Sequence, residues 1–232
     1  MEKKRNNNIY EILQGTNIFH DVSKAKLEQA AEYCRLSRVK RGSSVFRKGE
    51  EANYFYILQK GYVMEQVYYR ESVDVIVTVK SPGNFLGETA LMTDTNYLNT
   101  ALALEDVVLV SMPKSVFLDL AWNNPPVCRV VIRELVKRLS NSAENMIHSM
   151  YLDAPGRLAF TVLNLTTAAE RTMDLRVTQS ALAATAGMAR QTAAKILGDW
   201  RAEGWISTDR GKVSVLDMNR LLDIIMNSEM HC

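Results

Sequence analysis

From Val73 to Lys80 the chain puts Val73, Val75, Val77 and Val79 on one side and Asp74, Thr78 and Lys80 on the other, with Ile76 the exception. A period of two with polar alternates predicts a half-buried strand. Shorter apolar runs bounded by glycine flank it: Val39 to Glu50, with Gly42 and Gly49, and Tyr54 to Gly61. Pro82-Gly83 marks a turn, and Leu102 to Met112 resumes a valine-rich run. Many short strands with glycine turns, after a short helical start near Ile9, predict a small barrel or sandwich.

The pattern then changes. Asn123-Asn-Pro-Pro126 opens a helix, since proline suits the first helical turn. Along it Cys128, Ile132, Leu135, Leu139, Ser142, Met146 and Ser149 recur at spacings of four and three, with Arg129, Arg133, Glu134, Lys137, Arg138 and Glu144 between them. Such a stripe suits a two-stranded coiled coil, the favoured reading, with packing on the chain's own β domain as the alternative.

A further helix is predicted over Arg157 to Ala169, followed by two short helices about Gly187, Gln179 to Thr185 and Ala189 to Ala202. Leu182 and Ala186 in the first, and Ile196, Leu197 and Trp200 in the second, fall on inward faces. Arg190, Gln191 and Lys195 fall on another stripe near the start of the second. That end of such a helix pair enters the major groove of DNA. There an arginine can bond guanine O6 and N7, and a glutamine adenine N6 and N7. Thr178, Ser180 and Thr192 suit phosphate oxygens, as do Arg210 and Lys212 in a predicted hairpin turn, Asp209 to Lys212. Asp217 is placed to cap a last helix through Leu221, Leu222 and Ile225.

Composition adds limits. The 232 residues are 47% hydrophobic and 23% charged, with a net charge of +2, ordinary for a globular protein of one large or two modest domains. Cys34, Cys128 and Cys232, like His20, His148 and His231, are scattered, so no metal site is expected. No apolar run is long enough to cross a membrane, and the basic N-terminus has no apolar run behind it, so a cytoplasmic location is expected.

Four segments together resemble the catabolite activator/fumarate-nitrate regulator (Crp/Fnr) superfamily: Lys40 to Glu50, Gly83-Asn-Phe-Leu-Gly-Glu-Thr-Ala-Leu91, Leu152-Asp-Ala-Pro-Gly-Arg-Leu-Ala159 and Gly187 to Leu197. The resemblance implies an α+β fold: an N-terminal β-roll of the cyclic-nucleotide-binding, double-stranded β-helix type (1–120), a long dimerisation helix (121–151) and a C-terminal winged helix-turn-helix (152–232). It implies a homodimer on near-palindromic double-stranded DNA, with RNA polymerase as a further partner and a small effector as the signal. It also gives Arg190, Gln191 and Lys195 the base-facing positions. Gln191 departs from the acidic residue usual there, which implies a half-site differing at that base.

The sensor departs further. In cyclic-nucleotide members a Gly-Glu pair holds the ribose and an Arg-Ser pair about ten residues later holds the phosphate. Here Gly87 and Glu88 fit, but Leu98 and Asn99 stand at the later positions, and Leu86 to Ala103 contains no Arg or Lys. A phosphate without a cation or helix N-terminus is costly to bury, so cyclic AMP is not the expected effector. An iron–sulfur cluster would need an N-terminal cysteine cluster, whereas Cys34 stands alone. No cofactor is identified; haem stays open, with little support from His20 and His148. Ser142 is either a ligand contact across the dimer or a small seam residue. Two other functions compete: an enzyme on the β domain, disfavoured by the scattered histidines, and a cyclic-nucleotide-type module acting through a protein partner.

Overall fold

The computed structural model describes residues 2–69, 73–168, 174–175, 177–209 and 211–229. They divide into two compact units: residues 1–65 with 80–139, and residues 66–79 with 140–232.

The first unit begins with α1 (Glu2–Gln14) and α2 (Lys24–Tyr33). Ile9 and Leu13, then Leu27, Ala30 and Ala31, recur at helical spacing and turn into the core. The roll is made of β1 (Arg35–Val39), β2 (Ser44–Phe46), β3 (Tyr54–Lys60), β4 (Val63–Tyr69), β5 (Val73–Lys80), β6 (Phe85–Leu86), β7 (Thr100–Ala103) and β8 (Val107–Pro113), with the short α3 (Glu88–Met92) between β6 and β7; residues 66–79 of β4 and β5 are grouped with the second unit. One sheet has the order β1-β8-β3-β6 and the other β2-β7-β4-β5. In the first, Arg35 pairs with Ser111 and Phe55 with Met112, both antiparallel. Side chains from both sheets, including Phe46, Phe55, Val63, Leu86, Ala101 and Leu109, share one buried core. After the roll come α4 (Lys114–Asn123) and the long α5 (Pro125–Tyr151). Phe117 of α4 stacks on Phe55, ring centroids 4.1 Å apart.

Strand β5 corrects the expected alternation. Val79 is buried as expected, but Val77 is exposed, and Ile76 and Lys80 are buried. The residue that broke the pattern is thus covered, and Lys80 is buried within the influence of the Glu65 and Glu88 carboxylates.

Helix α5 also differs from the single stripe. Val127 and Val131 are buried and Leu135 half-buried in the roll core, while Ile132, Val136, Leu139, Met146 and Met150 are exposed. The front half of the helix thus has two apolar faces, and the expected stripe mixed them. Cys128 is half-buried, and the Ser149 side chain lies outside the described residues. The outward residues, with Ala143, keep spacings of four and three.

The second unit contains α6 (Ala154–Ala168), β9 (Asp174–Leu175), α7 (Gln179–Thr185), α8 (Arg190–Ala202), β10 (Ile206–Asp209), β11 (Lys212–Val215) and α9 (Met218–Glu229). Its sheet has the order β10-β11-β9. Asp153 fixes how α6 starts. Its Oδ1 accepts hydrogen bonds from the Gly156 N–H (2.8 Å) and from Ser228 Oγ of α9 (2.7 Å). Only glycine fits at 156, because a Cβ there would lie 2.5 Å from Ser228 Oγ. Among the described residues no helix is long and apolar enough to cross a membrane.

Candidate nucleic-acid interface and effector cavity

The α7–α8 pair is built by local chemistry. Thr178 caps α7, its hydroxyl accepting from the Ala181 N–H at 3.1 Å. Gly187 then reverses the chain with φ +64°, where a side chain would be strained although space is open around it. Arg157 of α6 holds the bend from beneath, its Nε donating to the Ala186 carbonyl (3.3 Å) and its Nη1 to the Leu152 carbonyl (3.1 Å). The arginine of the Leu152–Ala159 segment therefore ties the start of α6 to the helix-turn-helix bend.

In α8, Ala193, Leu197 and Trp200 are buried. Arg190, Gln191, Thr192 and Lys195 are exposed and occupy its first two turns. The buried residues fix the helix's rotation and leave the polar ones outward. A shallow groove of about 390 Å³ runs beside this end, lined by Thr178, Ser180, Arg190, Asp209, Gly211 and Lys212 among others. It brings together four of the expected DNA contacts, while Gln191, Thr192 and Lys195 lie outside it. Arg210 lies outside the described residues. Strands β10 and β11 pair from Ile206 with Val215 to Asp209 with Lys212, which carries Lys212 to the hairpin end.

In the first unit Gly87 and Glu88 open α3. Gly87 has φ +89°, and a Cβ there would come 3.0 Å from the Tyr54 carbonyl oxygen. Glu88 is fully buried, and its Oε1 receives Arg138 Nη1 of α5 at 2.7 Å and the Thr89 hydroxyl at 3.2 Å. Asn99 Nδ2 donates to Glu65 Oε1 at 3.1 Å. These groups line a cavity of about 110 Å³, with Gly87, Tyr97 and Leu98 also on its wall. Leu98 is largely exposed, and Ser142, exposed on α5, is not among the lining residues.

Charge dominates this cavity. Burial pushes the Glu65 carboxyl above its ordinary value; Lys80 opposes the rise and Glu88 adds to it. Burial, with Arg138 nearby, pulls the Lys80 ammonium below its ordinary value. Burial works against the Arg138 charge too, but Glu88, Glu65 and Glu134 outweigh it and hold its pKa up. By contrast, burial pushes the Cys34 thiol up to about 12, which leaves it inert. Among the described residues, no group of three or more His, Cys, Asp or Glu side chains could hold a metal ion.

Comparison with known proteins agrees with this division of labour. The cyclic nucleotide-binding domain family matches residues 36–124, and the Crp-like helix-turn-helix domain family matches residues 156–224. The chain belongs to the Crp/Fnr family. It is similar to the CRP-like cAMP-activated global transcriptional regulator of Mycobacterium tuberculosis, 26% identical over 219 residues, covering 91% of this chain and 97% of that one. The cAMP-activated global transcriptional regulator CRP of Pasteurella multocida is 27% identical over 179 residues, 74% of this chain and 85% of the other. A transcriptional regulator of the Crp/Fnr family from Eubacterium rectale has the same fold, with a TM-score of 0.72 at 18% identity, over 90% of this chain and 97% of that one. This Crp/Fnr protein is thus a Crp-like transcription regulator with a helix-turn-helix and a cyclic-nucleotide-binding-type domain.

Two cavity residues, Glu65 and Arg138, escaped the sequence reading, as did the buried Lys80 whose charge acts on them. The stretch Leu86 to Ala103 does lack a cation, but α5 supplies one from another part of the chain. A signal was present for two of them. Glu65-Gln66 interrupts the apolar strand Val63 to Val67, and Lys80 ends the valine-rich strand from Val73. Arg138 gave none, because it lies among surface-like charges of a long helix.

Proposed function

We propose that this regulator works as a homodimer on a near-palindromic DNA site and that a small effector other than cyclic AMP, held in the β-roll, gates it. The observation that carries the DNA-reading part is the start of α8, where Arg190, Gln191, Thr192 and Lys195 are all exposed in the first two turns while Ala193, Leu197 and Trp200 are buried. Arg190 and Gln191 read base edges, and Lys195 joins them. Thr192, Ser180 and Lys212 hold phosphates, and Arg210 is proposed as a further phosphate contact. Thr178 divides its hydroxyl between capping α7 and the DNA backbone.

Dimerisation rests on the outward stripe of α5. Leu139 is 71% exposed and Met150 68%, a line of apolar side chains that a second copy of the helix would cover. Two-fold symmetry in the protein requires it in the site, with half-sites about 34 Å apart, one turn of DNA. RNA polymerase is the partner such a regulator would engage.

The curated relatives are named as cAMP-activated. Two features of this chain speak for a different effector. Asn99 is engaged with Glu65 and Leu98 offers no charge, so the later positions hold no phosphate. The cavity is also small, about 110 Å³.

Selection of binding sequences from random duplexes tests the proposal. It should enrich inverted repeats spaced by one helical turn, with affinity falling steeply as salt rises. Recovery of direct repeats, or of no sequence at all, would refute it.

A further inference from the structure

We propose that the sensor cavity takes a small dipolar molecule of glycine or alanine size, its ammonium group on Glu65 and its carboxylate on Arg138. This rests on the reading of the β-roll as the effector domain. Nothing about DNA recognition enters it.

Size is the first constraint. The cavity is small, about 110 Å³. That suits a molecule of few non-hydrogen atoms.

Polarity is the second. Glu65 is only 3% exposed, and its two carboxyl oxygens differ. Oε1 receives Asn99, whereas Oε2 is buried with no hydrogen-bond partner. A buried acceptor left unmade is costly, more so if charged, and a ligand that brings an N–H donor removes that cost. An apolar occupant would leave it unmade.

Charge is the third. Glu65, Glu88 and Glu134 act on Lys80 and Arg138, three acids against two cations, and Glu88 is already paired with Arg138. An anion alone brings no donor to Glu65 Oε2, and a cation alone brings no acceptor to the Arg138 guanidinium. A zwitterion brings both. Its ammonium meets the Glu65 carboxylate, and its carboxylate shares the Arg138 guanidinium with Glu88 in the planar geometry that group favours. Arg138 belongs to α5, so its redistribution between Glu88 and the ligand is felt by the helix that carries the outward stripe.

Titration calorimetry on the full chain tests this. Glycine or L-alanine should bind once per chain. Methylammonium and acetate, each half of the zwitterion, should bind at least tenfold more weakly, and so should either amino acid to Glu65→Gln. Should that variant fold poorly, the comparison of whole and half ligands on the natural protein decides alone. No binding of either amino acid at millimolar concentration, or half ligands that bind as well as the whole, would overturn the proposal. Tight binding of cyclic AMP in their place would do the same. Loss of duplex binding with amino-acid binding intact would count against the DNA reading and leave this proposal supported.

Discussion

Arg138 Nη1 lies 2.7 Å from Glu88 Oε1, joining the long helix to the start of the short helix that floors the sensor cavity. Glu88 is almost wholly shielded from water, with its side chain 2% exposed, so its charge depends on that guanidinium. Arg138→Met should therefore cost about 3–5 kcal/mol, because a buried carboxylate left alone is worse than no pair at all. Urea unfolding would measure it. A loss below about 1 kcal/mol would mean that solvent already compensates Glu88.

Glu65 and Lys80 give a prediction with a definite sign in pH. Burial raises the Glu65 pKa above its ordinary 4.5, so the native protein keeps a proton that the unfolded chain releases. Stability should then fall as pH rises from 4.5 through the native value, since the unfolded state binds fewer protons there. Lys80 acts the other way at alkaline pH. Its native pKa lies below 10.5, so stability recovers as pH rises through that value toward 10.5. Glu65→Gln should flatten the acid-side decline, as read from unfolding curves at several pH values. An unchanged slope would place the titrating group elsewhere.

The two turn glycines should separate strain from crowding. Gly187→Ala meets nothing within 4 Å, so only its φ of +64° is penalised, at about 1–2 kcal/mol. Gly87→Ala has the same strain and also brings a Cβ to 3.0 Å from the Tyr54 carbonyl oxygen. Its loss of stability should be the larger of the two, by thermal or urea unfolding. Equal losses would mean that the backbone at Gly87 yields to make room.

What the residues revealed in advance was what depends on neighbours in sequence. The α7–α8 pair follows from Gly187 and the inward spacing of Leu182, Leu197 and Trp200, all within one short stretch, whereas Thr178, read as a phosphate contact, also caps α7. The wing follows from Gly211 between two alternating strands. The cavity was half legible. Gly87 and Glu88 form a local motif, but Arg138 and Glu65 reach the same space from a distant helix and another strand. The stripe on α5 was misregistered for the same reason: Leu135 and Ile132 are apolar alike, and only the presence of the roll says which one is covered.

On DNA, Arg190 and Lys212 should fail in different ways. Arg190→Ala should cost about 1–3 kcal/mol on the preferred site and relax one base position. Lys212→Ala should weaken preferred and random duplexes alike and lower the salt slope by about one. Titrations across salt concentrations on both duplexes distinguish them, and identical behaviour would remove the distinction between base and phosphate contacts.

The central claim, that the outward side chains opening α8 read bases, is tested most directly at Gln191. Sequences selected from random duplexes by the natural protein and by Gln191→Glu should differ at one symmetric pair of positions. Adenine, which pairs with an amide, should give way to cytosine, whose N4 donates to a carboxylate. The same base at that position in both selections would contradict the account.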